Sequence, residues 1–278
     1  MCDSIQVVEA WRYKDAVIVA CHSCGLEFAE PFVAAPLDYY QANYIDYVAP
    51  SYEEIHPGYQ FTIGKIREAV ARLPPGANRA IDVGCGAGYL LVDLQRRGFE
   101  CLGIDFNEDL VRVANERFGV PARVDDVWNL VALGARFDVA LLSHVLEHVD
   151  DPLGLLQNIR QILNPGGFLV IEIPNRNWYS VGHSLKQGTC TWNNYPPHHI
   201  TFWSTASLRR VLERAGFSVV ECIPRPFEDM DRIDRFVTGR LGLSKGCLYG
   251  LASLILKLGG RLARFQGSTL HATAQRLD

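Results

Sequence analysis

A glycine-rich segment early in the chain has the residue types of a nucleoside-binding turn. It reads Ile81-Asp82-Val83-Gly84-Cys85-Gly86-Ala87-Gly88-Tyr89-Leu90 and joins an apolar stretch to a helical pattern. Glycines permit a tight turn and a close approach of a ligand to the backbone, and the following helix N-terminus offers unpaired N–H groups and partial positive charge. Asp105 ends the next apolar stretch, 19 residues after Gly86. Because a carboxylate there can accept both hydroxyls of a ribose, the two features together predict a nucleoside site.

The spacing of the glycines distinguishes two classes of nucleoside cofactor. A dinucleotide-binding turn has its third glycine three residues after the second, but that position holds Tyr89, and Gly88 stands two residues after Gly86. S-adenosylmethionine has no pyrophosphate, so its loop needs to hold only the methionine part and the ribose. The spacing therefore favours S-adenosylmethionine. The alternatives are a nicotinamide-dependent oxidoreductase, a binding protein without catalysis, and a glycine turn that only packs a helix on a sheet.

Histidines in a stretch with prolines and aromatic residues are the second group of candidates. The stretch from Asn193 to Trp203 follows the fifth predicted strand and contains His198 and His199. Ligands of open α/β sheets bind at the carboxyl ends of the strands, and an imidazole there can act as a general base or ligate a metal. We therefore predict that His198 or His199 is catalytic or contacts the acceptor, with His144 next. The alternative is a histidine that hydrogen-bonds the loop backbone, and His148 is interpreted as structural.

Two cysteines near the N-terminus have the spacing of half a zinc site. Cys21 and Cys24 form a C-x-x-C-G knuckle, whereas a structural zinc site needs four ligands. Only Cys2 lies upstream and the chain has no second pair, so His22 or another residue would have to complete the site. Zinc held by Cys21, Cys24 and Cys2 is one prediction, and a metal-free pair of strands is the favoured alternative.

These candidates are set among alternating strand and helix patterns. Between residues 77 and 175, continuously apolar stretches alternate with helical periodicity, which predicts a parallel sheet covered by helices on both faces. The predicted strands there are 80–83, 101–105, 122–125, 137–142 and 168–173, and the predicted helices are 89–97, 108–118 and 152–163. Outside this part, we predict helices over 51–75 and between Ser204 and Gly216, and strands over 217–223 and 269–275.

The chain divides into four predicted parts. Residues 1–50 form an N-terminal extension, 51–225 the cofactor-binding core, 226–266 a helical insertion, and 267–278 the final strand and tail. The insertion is rich in leucine, and so large an apolar surface does not stay in water. It is predicted to cap the acceptor pocket or to form a homodimer face, and contact with a membrane surface ranks third. The tyrosine-rich stretch within residues 39–59 is either a lid over the pocket or packing for the N-terminal segment.

Composition excludes several classes of partner. Of 278 residues, 48% are hydrophobic and 21% are charged, the net charge is -4, and no basic run occurs, so we expect a globular protein without a nucleic-acid partner. The most apolar run, 248–258, is shorter than the roughly 20 residues that span a bilayer. No secretory signal is visible, and the eight scattered cysteines are expected to be reduced thiols. This predicts a cytoplasmic location.

Four motifs in order resemble those of class I S-adenosylmethionine-dependent methyltransferases. Residues 81–88 resemble the first signature and 103–105 the second, 137–149 resemble the strand and turn of a later one, and 163–169 match the turn before the fifth strand. The resemblance covers about residues 77–224 and is closest to the ubiquinone-methyltransferase-like subgroup. It implies a Rossmann-like, seven-stranded, mostly parallel sheet with helices on both faces, in which 269–275 pairs antiparallel with 217–223.

The resemblance also implies roles for individual residues. Cofactor contacts are implied for Asp82 (methionine amino group, through water), Gly84, Gly86 and Gly88 (methionine and ribose), Asp105 (ribose hydroxyls), Phe106 (adenine), Asp126 and Val127 (adenine amino group), and Ser143 (methionine end). The alternative for Asp126 is a strand end in solvent. His144 would also border the methionine end, and His199 matches a histidine that precedes a Phe-containing turn in the family. The implied activity is methyl transfer to an oxygen or carbon of a small molecule such as a sugar, a quinone or a natural-product intermediate.

Overall fold

The computed structural model describes residues 6–13, 15–43, 48, 51–176, 195–225 and 269–278. In these residues the strands are β1 (Val7–Tyr13), β2 (Ala16–Cys21), β3 (Glu27–Glu30), β4 (Arg79–Val83), β5 (Glu100–Asp105), β6 (Ala122–Val124), β7 (Phe137–Ser143), β8 (Leu163–Pro174), β9 (Thr201–Phe202), β10 (Ser218–Pro224) and β11 (Thr269–Gln275). The helices are α1 (Leu37–Asn43), α2 (Tyr52–Val70), α3 (Tyr89–Arg96), α4 (Glu108–Phe118), α5 (Val127–Ala132), α6 (Pro152–Ile162) and α7 (Thr205–Arg214).

The main sheet has seven strands in the order β10-β11-β8-β7-β4-β5-β6. Strands β8, β7, β4, β5 and β6 run parallel to one another, and β11 is antiparallel to both β8 and β10. The predicted mostly parallel, seven-stranded sheet is confirmed, and so is the predicted antiparallel final strand. The chain runs outward from β4 to β6 and then returns to place β7 on the other side of β4, so the strand order reverses between β4 and β7. Ligands of such sheets bind in the crevice at this reversal.

Apolar layers cover both faces of this sheet, as its sequence pattern predicts. Neighbouring residues of β4 point to opposite faces: Ile81 joins a buried cluster with residues of α5, α6 and α7, whereas Ala80 joins a second cluster with residues of α2, α3 and α4. Both side chains have no solvent exposure. A strand buried on both faces needs a continuous apolar run rather than an alternating one, which is why β4 is readable from the sequence.

The element bounds differ from the predicted ones in a few places. The helix predicted over 51–75 ends at Val70, and the predicted turn at 164–167 falls within the bounds of β8. Helix α5 is absent from the prediction because it has only six residues, although the side chain of Asp126 caps it by accepting a hydrogen bond from the N–H of Asn129. Ser204 caps α7 as predicted.

A second, four-stranded sheet has the order β1-β2-β3-β9, with antiparallel pairing throughout. Its strand β9 comes from the segment directly after His199, and the N–H of Ala29 donates to the Ile200 carbonyl oxygen at 2.8 Å. The N-terminal extension is therefore joined through a sheet to the histidine-containing stretch of the predicted core. The predicted strand pair around the knuckle is present as β2 and β3.

Two predictions concern residues outside the described ones. The leucine-rich insertion at 226–266 and Cys2 both lie outside the described ranges, and the cap, dimer and membrane interpretations of the insertion stay predictions. Among the helices of the described residues, none combines the length and apolar character that crossing a bilayer requires.

Candidate active site

The glycine loop between β4 and α3 is held from two sides. The N–H groups of Gly84 and Cys85 donate to the Ile104 carbonyl oxygen at 2.8 and 3.0 Å, which ties the loop to β5. On the other side, a Cβ at Gly84 would lie 2.4 Å from Val145 Cγ2, and φ of Gly84 is +73°. The loop therefore packs directly against the turn that follows β7, and only glycine tolerates both that conformation and that contact.

Asp105 ends β5 beside this loop, as the spacing predicts. Its Oδ2 accepts a hydrogen bond from the Gly86 N–H at 2.8 Å, and its Oδ1 accepts one from the Asn107 N–H at 2.9 Å. A carboxylate has about four acceptor sites, and the backbone N–H groups of Gly86, Asn107 and Phe106 that act on Asp105 do not fill all of them. Burial raises the pKa of Asp105 while these N–H groups oppose the shift. The remaining acceptor sites fit the two adjacent hydroxyls of a ribose.

Asp82 lies beneath the loop in β4 and is an unsatisfied buried acid. Its side chain is 2% exposed, and Oδ1 has no hydrogen-bond partner among the described residues. Burial, and then the charge of Asp105, raise its pKa to about 7. A buried polar group is normally hydrogen-bonded, so an ammonium group or a water bridging to one would complete this site. The methionine part of S-adenosylmethionine carries such a group, and the residues present therefore fit this cofactor.

The predicted adenine-binding residues lie where β5 and β6 end. Phe106 directly follows Asp105 and is 49% exposed, so its ring is available for stacking. Asp126 uses Oδ1 to cap α5, accepting from the Asn129 N–H at 2.8 Å. The Val127 side chain is buried in the core, which leaves only its backbone for contact with a ligand. Asp126 therefore has a structural role in addition to any contact with the adenine.

Ser143 and His144 stand at the carboxyl end of β7, next to the strand-order reversal. His144 has φ of +55°, the one positive value among the non-glycine residues that the structure describes. Its N–H donates to the Glu172 carbonyl oxygen at 2.8 Å, and its side chain is 46% exposed. A non-glycine residue in this conformation is uncommon and tends to occur at functional sites.

Three imidazoles pack together behind His144. The ring centroids of His148, His198 and His199 are 4.7 to 4.9 Å apart. A 2.6 Å contact joins His148 Nδ1 to the His198 carbonyl oxygen. The structure thus brings both predicted histidines of the late stretch to the turn after β7. His148, interpreted as structural from the sequence, is a central member of this group.

Glu147 is a functional candidate that sequence reasoning did not identify. It is 1% exposed, and its Oε1 lies 3.3 Å from His144 Nδ1, 3.9 Å from His199 Nε2 and 4.0 Å from His148 Nε2. None of these contacts is aligned as a hydrogen bond, and both carboxylate oxygens lack a hydrogen-bond partner among the described residues. We name Glu147, His148, His198 and His199 the imidazole–carboxylate cluster.

The cluster residues have opposite tendencies to ionise. Burial favours the protonated form of Glu147, but the neighbouring imidazoles of His144, His148 and His199 lower its pKa to about 2. Burial lowers the pKa of His198 to about 4 and also lowers those of His148 and His199. Burial also disfavours the charged form of His144, but Glu147, 3.3 Å from its Nδ1, raises the pKa of that imidazole. The carboxylate is thus stabilised by its imidazole neighbours, with His144 the nearest of them.

The tyrosine-rich helix α1 covers this cluster. The ring of Tyr40 packs against His148 at 5.5 Å and against His198 at 6.1 Å, and Tyr39 packs against His198 at 5.7 Å. The side-chain amide of Asn107 donates to the Tyr40 carbonyl oxygen at 3.3 Å, which fastens α1 next to the end of β5, where Asp105 is the predicted ribose ligand. The described part of the tyrosine-rich stretch thus contacts both Asn107, after β5, and the imidazole–carboxylate cluster.

The knuckle cysteines lie away from this cluster, in the turn between β2 and β3. Cys21 is buried, and the Gly25 N–H donates to its carbonyl oxygen at 2.9 Å. His22 is exposed. Within the described ranges no further histidine, cysteine or acid comes near enough to complete a metal-binding group with Cys21 and Cys24. The zinc assignment stays a prediction.

Comparison with known proteins gives one family. The methyltransferase-domain family matches residues 59–222, more than half of the chain. The chain is similar to a ubiquinone biosynthesis O-methyltransferase of Cereibacter sphaeroides, with 35% identity over 144 residues, which cover 46% of this chain and 58% of that protein. It is also similar to the ubiquinone biosynthesis O-methyltransferase of Coxiella burnetii, with 28% identity over 49% of this chain and 65% of that protein. The chain thus spans about three fifths of the length of these curated relatives.

Solved structures share the fold. A S-adenosylmethionine-dependent methyltransferase from Archaeoglobus fulgidus superposes with a TM-score of 0.53 at 20% identity, covering 78% of this chain and 93% of that one. The magnesium protoporphyrin IX methyltransferase of Synechocystis, solved with bound S-adenosylhomocysteine, superposes with a TM-score of 0.55 at 18% identity, covering 86% and 97%.

Proposed function

This chain belongs to the S-adenosylmethionine-dependent methyltransferases, and from that membership we propose that it methylates a hydroxyl oxygen of a small-molecule acceptor of the quinone-precursor type. The relatives that share its core are O-methyltransferases of ubiquinone biosynthesis. A sugar or natural-product hydroxyl is the other acceptor class that the site chemistry allows.

One observation carries the proposal. The turn that bears His144, Glu147 and His148 packs on the glycine loop, because the Val145 side chain fills the space where Gly84 lacks a Cβ. The groups able to take a proton from an acceptor therefore stand next to the loop that would hold the methyl donor. Positioning the acceptor against the donor is the main task of an enzyme that catalyses such an in-line displacement.

The cofactor supplies an activated methyl group on a positively charged sulfur. On the protein side, Asp105 would hold the ribose, Asp82 the methionine ammonium group, and Phe106 the adenine face. The exposed imidazole of His144 would accept the hydroxyl proton as the acceptor oxygen becomes nucleophilic. Helix α1 would cover the acceptor with Tyr39 and Tyr40 and exclude water from the reacting atoms.

The test begins with cofactor binding. We expect S-adenosylhomocysteine to bind the full chain in calorimetry, and Asp105→Ala to weaken binding by at least about 100-fold, since two charge-assisted hydrogen bonds are worth about 3 kcal/mol or more. Asp125→Ala is the matched control, because Asp125 is paired with Arg123 at 2.8 Å and has no proposed cofactor contact. Equal affinity of both variants and the parent would contradict the site assignment.

Methyl transfer is then measured with labelled S-adenosylmethionine and a panel of phenols, catechols and sugars. We expect transfer to a phenolic hydroxyl and a large loss of turnover in His144→Ala with cofactor affinity retained. Cofactor binding without transfer to any hydroxyl in the panel would favour the binding protein without catalysis.

Location and assembly belong to the proposal as well. The five cysteines in the described residues, Cys21, Cys24, Cys85, Cys101 and Cys222, form no disulfide with one another. This supports work in a reducing compartment such as the cytoplasm. A homodimer built through the insertion would be tested by light scattering of the full chain and of a chain without residues 226–266.

A further inference from the structure

We propose that the imidazole–carboxylate cluster binds one divalent transition-metal cation, with Glu147, His148, His198 and His199 as its ligands. Metal binding by these residues does not depend on the proposed function. The role that we assign to the cation below does rest on it.

The ligand atoms already converge. One ring nitrogen from each of the three histidines can be chosen so that all three lie within 4.8 Å of one another. Around a tetrahedral ion with bonds of about 2.0 to 2.1 Å, ligand nitrogens lie about 3.3 Å apart. Each imidazole therefore needs to move inward by less than about 1 Å. Glu147 Oε1 lies 4.0 Å or less from His148 Nε2 and His199 Nε2, so a rotation of its carboxylate toward the three rings would bring it to the fourth corner.

The surrounding backbone holds these ligands in place. If His148 Nδ1 carries its proton, it donates to the His198 carbonyl oxygen at 2.6 Å and leaves Nε2 with a lone pair that faces Glu147. Metal-binding histidines commonly donate their second nitrogen to a carbonyl in this way. The Ile200 N–H donates to the Glu147 carbonyl oxygen at 2.9 Å, which couples the turn after β7 to the segment that carries the histidine pair.

The Glu147 carboxylate supplies the independent reason for a cation. It is almost fully buried, and neither oxygen has a hydrogen-bond partner among the described residues. Burying a charge is costly unless the charge is paired. His144 Nδ1 lies 3.3 Å from one oxygen of this carboxylate, and a cation bound among the rings of His148, His198 and His199 would neutralise the carboxylate from within the cluster and use the lone pairs of those rings.

The donor set points to a class of metal. Three imidazole nitrogens and one carboxylate oxygen suit zinc, iron or a neighbouring first-row ion, whereas magnesium prefers oxygen ligands alone. His144 lies beside the cluster and is exposed. Since zinc sites can expand to five ligands during catalysis, an acceptor hydroxyl that enters there would bind the ion as a fifth ligand. Coordination would stabilise the ionised form of that hydroxyl, with its proton passing to His144.

The test measures the metal directly on the full chain. The protein is stripped with chelator, titrated with Zn²⁺ by calorimetry and analysed for metal content after dialysis. We expect about one equivalent bound through the cluster, with affinity reduced by at least about 100-fold in Glu147→Gln and in His199→Ala. The controls are His22→Ala, which changes an exposed imidazole, and the pair Cys21→Ser with Cys24→Ser, which removes the knuckle.

The outcomes separate the possible sources of binding. Zinc that is retained in the cysteine variant and lost in both cluster variants supports the proposal. No zinc in the parent chain, equal affinity in the cluster variants, loss only in the cysteine variant, or equal preference for Mg²⁺ would each overturn it. Should the cluster variants fail to fold, the Co²⁺ form of the parent decides, because thiolate ligands give a sulfur-to-metal charge-transfer band that a nitrogen and oxygen site lacks.

S-adenosylhomocysteine affinity is measured on every variant. Normal cofactor affinity together with lost zinc shows that the cluster change is local. Zinc binding in a chain that transfers no methyl group would contradict the proposed function and still support the metal site. Methyl transfer at full rate by the chelator-stripped chain would contradict the proposed catalytic role of the ion.

Discussion

Replacing Asp82 by Asn should make the protein more stable at alkaline pH and a poorer binder of its cofactor. Asp82 is 2% exposed, and its Oδ1 has no hydrogen-bond partner among the described residues. Burial, with the nearby charge of Asp105, raises its pKa to about 7 from an ordinary value of 3.8. Asn keeps the size of the side chain and removes the charge, so the variant isolates the cost of holding a carboxylate at this place.

The size of the effect follows from proton linkage. Between pH 3.8 and about 7 the folded protein holds a proton on Asp82 that the unfolded chain has lost, so the free energy of unfolding falls as the pH rises through this window. The complete penalty on the ionised carboxylate is about 4 kcal/mol, and the part that develops between about pH 5.5 and pH 8 is about 2 kcal/mol. The stability difference between Asp82→Asn and the parent should grow by that amount, or about 4 to 8 °C in Tm.

The assay is denaturant unfolding of both proteins at the two pH values. Any pH-independent effect of the new amide on stability cancels, because the assay uses only the change, between the two pH values, in the stability difference between variant and parent. Asp93→Asn is the control. Burial opposes ionisation of Asp93, but Arg67 and Arg97 lower its pKa below 3.8. The stability difference between Asp93→Asn and the parent should therefore be the same at both pH values. If the stability difference between Asp82→Asn and the parent is the same at both pH values, the claim that Asp82 is a buried and unsatisfied carboxylate is refuted. S-adenosylhomocysteine affinity should fall about 10- to 100-fold, because a charge-assisted contact worth about 1.5 to 3 kcal/mol is lost.

Two further substitutions test the packing of the site. Gly84→Ala should lower the free energy of unfolding by about 2 to 4 kcal/mol, because the residue has a positive φ and its new Cβ clashes with Val145. Gly76 also has a positive φ but open space around it, so Gly76→Ala should lower the free energy of unfolding by only about 1 to 2 kcal/mol. Equal losses for the two variants in chemical denaturation would contradict the close contact between Gly84 and Val145. Asn107→Ala should lower the free energy of unfolding by about 1 kcal/mol, because α4 loses its N-terminal cap. The variant should also speed amide hydrogen exchange in α1, because the Asn107 side chain donates to the α1 backbone. Unchanged exchange in α1 would show that other contacts hold this helix.

The sheet could be predicted because its strands are short, apolar and buried on both faces. Ile81 and Ala80 serve opposite layers, so the sequence shows a continuous run that no exposed strand has. Helix α5 escaped prediction since six residues give too little periodicity to read. The small sheet escaped as well, because the pairing of β3 with β9 joins Phe28 to Thr201, and no local pattern reports a partner so far along the chain.

The cofactor side of the site was predictable for a related reason. The glycine loop and Asp105 are fixed by local geometry, as each ends a strand that lies next to the other in the sheet. The acceptor side was only partly predictable. Glu147 and His148 look like an ordinary turn, and their importance depends on the contact between His148 and His198, 50 residues apart. The signal was two adjacent pairs, Glu-His and His-His, but only the fold brings the pairs together.

The N-terminal strands have a role in the site that their position in the chain does not reveal. Strand β3 pairs with β9, and the N–H of its residue Ala29 donates to the Ile200 carbonyl oxygen. Ile200 in turn binds the backbone of Glu147. The histidine pair is therefore held between two backbone contacts, one to the N-terminal sheet and one to the turn on which the glycine loop packs. Because the glycine loop packs on this turn through Val145 and the turn carries Glu147 and His148, we expect a substitution that displaces the turn to disturb both the loop and the imidazole–carboxylate cluster.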